Sequence, residues 1–214
     1  MGGTHVAPAG LIGPNAITRI AQVLPAWRGS AFTQDVFERA GLLAHWRRPP
    51  EQMVREDEVR ALHAALRAAL PAEEAAAVSR AAGRATADYL LAHRIPQPVQ
   101  RLLKLLPAGL AARVLVAAIT RHAWTFAGSG EFSATPAHRS AQGRQPWVLA
   151  IRHNPLCRDL HTTTPACDYY AATFERLFQV LVHRETRVRE ISCEACRSGP
   201  EDTLNDACRF ELRW

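Results

Sequence analysis

Four of the five cysteines in this chain, Cys167, Cys193, Cys196 and Cys208, fall in its last quarter, with Glu190 three residues before Cys193. Thiols crowded into so short a stretch constrain a fold strongly, because they either pair or converge on a metal. The step Cys193-Glu194-Ala195-Cys196 is a CxxC knuckle, which lets two thiolates reach one ion. Cys208 follows Cys193 by 15 residues, and Cys167 precedes Glu190 by 23. Only one cysteine, Cys208, follows the knuckle, so the pattern is not that of a standard zinc finger. An odd number of cysteines in a reducing compartment favours metal ligation over disulfides. Cys157 suits a plainer role as a small buried apolar residue. A site closed by four protein donors leaves no position for water, which points to a structural zinc.

The chain has 214 residues, 48% of them hydrophobic and 21% charged, which is enough for one good core or for a helical lobe packed on an α+β lobe. Its formal charge of +6 rests almost wholly on arginine, Lys104 being the single lysine. Such a charge favours anionic partners. The basic residues are scattered, with Arg47-Arg48 as the one local pair, and this argues against a nucleic-acid partner. Met1 to Leu11 carries no basic residue and does not read as a signal peptide. No apolar run approaches the roughly 18 residues of a membrane span. The expected location is the cytoplasm, with transient membrane association.

Periodicity predicts helices in the first two-thirds: Pro14 to about Val23, Ser30 to Ala40, Glu56 to Leu70, and an alanine-rich helix from Pro71 to His93. A short helix around Val99 to Leu106 and an apolar one from Ala108 to about Phe126 follow. At Gly128 the character changes. Strands are expected at Glu131 to Thr135, Trp147 to His153, Arg187 to Cys193 and Ala207 to Arg213, with a helix over Cys167 to His183. The result is an α+β chain: a helical region over 1–127, forming part of a ligand-binding fold, then an α+β region with an antiparallel sheet over 128–214. Strand alternation forbids Glu190 and Cys193 from sharing a face, so the chain must turn between them.

The run Asn154-Pro155-Leu156, Cys167-Asp168-Tyr169-Tyr170-Ala171-Ala172, Glu190-Ile191-Ser192-Cys193, Gly199 and Cys208-Arg209-Phe210 resembles the vinyl-4-reductase domain family. The whole chain, including Gly13-Pro14-Asn15-Ala16, is similar to the 4-vinyl reductase members of bacteriochlorophyll biosynthesis. The resemblance implies zinc held by Cys167, Glu190, Cys193 and Cys208. The chain departs from that pattern by adding Cys196 and lengthening the gap before Cys208, so either Glu190 or Cys196 can complete the shell. It also implies a fold related to haem-based nitric-oxide-sensing domains and small trafficking-complex subunits, an apolar ligand pocket, and a homodimer. The implied ligand is a tetrapyrrole such as magnesium protoporphyrin or divinyl protochlorophyllide.

The family name implies reduction of the 8-vinyl (formerly 4-vinyl) group. No G-x-G-x-x-G opens a β-α-β unit, and the sequence has no recognisable flavin site, although four cysteines can in principle hold iron–sulfur. No catalytic residue is assigned. A noncatalytic carrier that presents a magnesium porphyrin to magnesium chelatase or a downstream pathway enzyme needs apolar walls, an axial ligand and cations for the propionates. His93 and His122 are the first axial candidates, ahead of His45 and His153. Trp124 and Phe174 are wall candidates and Arg121 a propionate partner.

Overall fold

The computed structural model describes residues 10–140, 143–199 and 201–214. Most of the N-terminal stretch read for a leader lies outside them. The order of helices followed by β-β-α-β-β is the order expected. A two-stranded ribbon of β1 (Leu11–Ile12) and β2 (Val54–Arg55) ties the start of the chain to the start of α3 (Glu56–Ala69). Between the two strands run α1 (Asn15–Arg39) and α2 (Leu43–Arg47). Then come α4 (Ala72–His93), α5 (Gln97–Leu105), α6 (Ala108–Arg121) and α7 (Trp124–Ala127).

Two helix boundaries differ from expectation. Pro25 does not end the first helix; the chain continues helically and breaks at Gly29, whose φ of 79° is open to glycine but strained for other residues. Conversely, the helix expected to reach Phe126 stops at Arg121. The His122 N–H shares the carbonyls of Ala118 and Ile119, and a short turn redirects the chain into α7. Apolar residues run through that junction without interruption, which hides it from a periodicity argument.

The main sheet is antiparallel in the order β3 (Glu131–Thr135), β6 (Trp147–Arg152), β8 (Cys208–Arg213), β7 (Arg187–Ser192). A small hairpin of β4 (His138–Ser140) and β5 (Gly143–Gln145) lies between β3 and β6, where a polar turn was expected. Period-two alternation puts Trp147, Leu149 and Ile151 on the buried face beside their partners Leu212, Phe210 and Cys208.

Helix α8 (Asp168–Leu181) is buried on both sides. Tyr170, Phe174 and Phe178 turn to the sheet, where Phe174 meets Phe210 at 5.4 Å and Phe132 at 6.3 Å between ring centroids. The opposite side packs on α4: Thr173 donates to the Gly83 carbonyl at 3.1 Å, and the Tyr169 hydroxyl meets Thr86 at 2.8 Å. Burying one such ring contributes about 2–3 kcal/mol.

Gly83 permits the α4–α8 approach. A Cβ there would overlap the Tyr169 carbonyl oxygen and lie 3.1 Å from the Ala172 methyl. Gly83→Ala is therefore expected to destabilise the fold by about 1–3 kcal/mol, despite the higher helix propensity of alanine. Urea unfolding checks this; an unchanged midpoint would contradict the tight packing of the two helices.

Candidate metal centre

At one end of the sheet four elements deliver a cysteine to the same point. Cys208 opens β8, Cys193 directly follows β7, Cys167 is the N-cap of α8, and Cys157 sits in the turn after β6. All four are buried, and none forms a disulfide. Their six Sγ–Sγ distances are 3.1 Å (157–167), 3.5 Å (157–208 and 167–208), 3.6 Å (157–193), 3.8 Å (193–208) and 3.9 Å (167–193). A tetrahedral ion with Zn–S bonds of about 2.3 Å requires sulfur edges of about 3.8 Å. The set thus fits a single ion after relaxation of a few tenths of an ångström. A polynuclear iron cluster would put metal atoms between the thiolates and need wider spacing.

The parity problem between Glu190 and Cys193 is solved by a bulge. Glu190 pairs with Phe210 but Ser192 pairs with Arg209, leaving Ile191 as the extra residue, 42% exposed. In a regular ladder Cys193 would point away from Cys208. The bulge reverses the alternation and turns it inward. Its backbone is then held by the Asn205 side chain, which accepts the Cys193 N–H at 3.3 Å.

Cys157 arrives by a route that no spacing rule describes. His153 and Asp159 flank its turn at φ values of 54° and 60°, left-handed for residues with a Cβ. Glu194 stabilises the turn by accepting the N–H groups of His153 (2.6 Å) and Asn154 (2.7 Å). Asn154 is buried, accepts the Leu156 N–H at 3.0 Å, and donates its amide to Cys167 Sγ at 3.2 Å. The residue set aside as a plain buried thiol is therefore one of the four. Asn154-Pro155, a turn signal ahead of the helix cysteine, was the available hint.

Cys196 stays apart. The single 3-10 turn Glu194–Cys196 carries its sulfur to Thr162, 3.6 Å away, and it remains partly exposed. Glu190 lies against the cluster through its backbone contact: one carboxylate oxygen accepts the Cys167 N–H at 2.7 Å, while the other is buried without a partner among the described residues. Burial, and then the nearby Cys193 charge, push this carboxyl up to about 9. In the metal-free cluster the sulfurs cannot all ionise. Hydrogen bonds from Cys157, Cys167 and Cys193 hold the Cys208 thiol down, whereas its bonds to Cys157, Cys193 and Cys208, together with burial, drive Cys167 up. A dication is the group that would let all four be thiolates.

The expected tetrapyrrole contacts are distributed differently. Arg121 and His122 are exposed at the end of α6, and Trp124 starts α7 half-buried. Phe126 of the same short helix touches Phe174, which is 2% exposed within a cluster of rings. His93 belongs to another element, the end of α4, exposed and 4.9 Å from the Tyr89 ring. A surface cavity of about 470 Å³ beside the sulfurs is lined by Ser129, His153, Asn154, Cys157, Arg158, Glu194 and Arg197. A second, of about 310 Å³, lies between α4, α8 and β7 and includes Arg80, Arg84, Arg189 and Glu190. Neither includes the five expected contacts. No helix of the described residues is long and apolar enough to cross a membrane.

With this geometry in place, kinship is clear. Residues 147–213 match the vinyl-4-reductase domain, and the fold over 94% of the chain is that of a solved H-NOX structure from a study of haem distortion (TM-score 0.54, 12% identity, 93% of that chain covered). The sheet, α8 and the sulfur cluster thus define a protein with a vinyl-4-reductase domain on an H-NOX-type fold. The chain is 46% identical over 203 residues to the bacteriochlorophyll synthase 23 kDa chain of Cereibacter sphaeroides, covering 94% of this chain and 89% of the relative. It is 42% identical to the protein of the same name from Rhodobacter capsulatus over 190 residues, 88% and 84% of the two. The chain belongs to this family of bacteriochlorophyll synthase 23 kDa chains.

The cluster makes a discriminating prediction. Cys157→Ser is expected to abolish zinc retention after a chelator wash and to lower the melting temperature by at least about 5 °C, as Cys167→Ser does, whereas Cys196→Ser keeps one zinc per chain. Metal analysis by mass spectrometry with a thermal melt checks both. A Cys157 variant that retains its zinc, or a Cys196 variant that loses it, would contradict the four-sulfur set.

Proposed function

We propose that the chain is a noncatalytic tetrapyrrole-binding accessory protein of bacteriochlorophyll biosynthesis. It carries a magnesium porphyrin intermediate to magnesium chelatase or a downstream enzyme, and a structural zinc holds its sheet to α8. One observation carries the pathway assignment: near full-length kinship with two proteins named as chains of bacteriochlorophyll synthase. The fold supports the ligand class, since the H-NOX relative was studied for its distorted haem. The sulfur cluster supports the noncatalytic role, because four protein donors fill the tetrahedron and leave no position for substrate.

In this proposal the macrocycle lies at the α6–α7 junction. There Trp124 and the Phe126, Phe132 and Phe174 rings supply apolar surface, Arg121 meets a propionate, and His122 faces the central magnesium. His93 is the alternative axial donor. The proposed location is the cytoplasm.

Titration of the zinc-loaded protein with magnesium protoporphyrin, followed through the Soret band and tryptophan quenching, is expected to saturate near one equivalent. Arg121→Ala is expected to weaken binding about tenfold, as for the loss of one charge-assisted hydrogen bond. Absence of saturable binding would contradict the carrier role. Nicotinamide-dependent loss of the 8-vinyl group from divinyl protochlorophyllide, catalysed by the pure protein, would establish a reductase instead.

A further inference from the structure

Among the described residues, large apolar side chains left in solvent are concentrated in one place. Five of eight lie on α5 and α6: Val99 (42% exposed), Leu102 (57%), Leu105 (83%), Leu110 (47%) and Val114 (42%). On α5, Val99, Leu102 and Leu105 recur every three residues and form an outward strip, while Gln100 and Leu103 turn inward. On α6, Leu110 and Val114 stand one helical turn apart, opposite the buried Ala112, Leu115 and Val116. The two helices are consecutive, joined through Leu106-Pro107, and pack on each other.

The charge around this surface has one sign. From Tyr89 to Gly130 the sequence holds no aspartate or glutamate, yet it carries Arg94, Arg101, Lys104, Arg113 and Arg121. Arg101, Lys104 and Arg113 are exposed on the same two helices and make no ion pair among the described residues. Elsewhere arginines find acids, as Arg28 does with Glu74 and Arg176 with Asp88. An apolar strip flanked by unpaired cations is how an amphipathic helix meets an anionic lipid surface, its leucines entering the acyl boundary and its cations meeting headgroup phosphates.

We infer that the α5–α6 hairpin is a docking surface for an anionic bilayer, which holds the protein on the membrane face without spanning it. A second copy of the chain is a poorer occupant. Two-fold pairing through this face would set Arg101, Lys104 and Arg113 against their own kind with no acid to compensate. This inference does not depend on the tetrapyrrole assignment, because its test contains no tetrapyrrole.

The full-length protein is sedimented with vesicles of phosphatidylcholine alone and with vesicles of phosphatidylcholine and phosphatidylglycerol in equal parts. Binding is expected on the anionic vesicles, weakening at high salt, and little on the neutral ones. Leu102→Ser/Leu105→Ser and Arg101→Glu/Lys104→Glu are each expected to lower the partition coefficient at least about tenfold. Leu204→Ser, at an exposed leucine elsewhere, is expected to leave it unchanged. All of these positions are exposed, so circular dichroism melts should match the parent. The inference is overturned if the parent protein stays in the supernatant with anionic vesicles, or if both double variants sediment as the parent does. It is also overturned if the double variants instead dissolve a dimer seen by analytical ultracentrifugation, which would make a second copy the occupant.

Discussion

The convergence of Cys157, Cys167, Cys193 and Cys208 is the interaction on which the C-terminal half depends. Each thiol sits at an end, of β6, α8, β7 or β8, where backbone hydrogen bonding stops and ordering must come from side chains. One ion shared by four such ends would fix the register of β7 on β8 and the entry angle of α8 at once. The local devices serve the same point: the bulge at Ile191 turns Cys193 inward, Glu194 closes the Cys157 turn, and Asn154 donates to Cys167. Glu190 positions the helix N-terminus by accepting the Cys167 N–H.

From that anchor α8 transmits order to the helical half. Its sheet-facing rings complete the core, and its other side meets α4 closely enough to demand glycine at position 83. A second link runs through Glu56 at the start of α3. It is buried and accepts both the N–H and hydroxyl of Ser129 while lying 3.4 Å from Arg158, the neighbour of Cys157. A change of metal state would therefore be felt at the α3 terminus as well as in the sheet. The α5–α6 hairpin is less covered, with an exposed face unlike that of any other helix pair in the described chain.

Much of this was legible in the sequence because it is local. Strand β3 (Glu131–Thr135), β6 from Trp147 and the span of α3 follow from alternation and from helical spacing. Cys167, Cys193 and Cys208 were legible as a group from their crowding and from the resemblance to a known family. The role of Cys157 was not, since it depends on left-handed backbone at His153 and Asp159 and on a carboxylate, Glu194, far along the chain. Nor was the divergence of Cys196, because a CxxC step permits two thiolates to converge without requiring it. The tetrapyrrole contacts were read one residue at a time, and the fold distributes them between α4, the α6–α7 junction and the core.

Zinc K-edge X-ray absorption on the purified, zinc-loaded protein addresses the centre most directly. Four sulfur scatterers at about 2.3 Å, with no oxygen bound to the ion, are predicted for ligation by the four buried cysteines. Three sulfurs and one oxygen at about 2.0–2.2 Å would place Glu190 on the metal and remove Cys157 from it, contradicting the central claim.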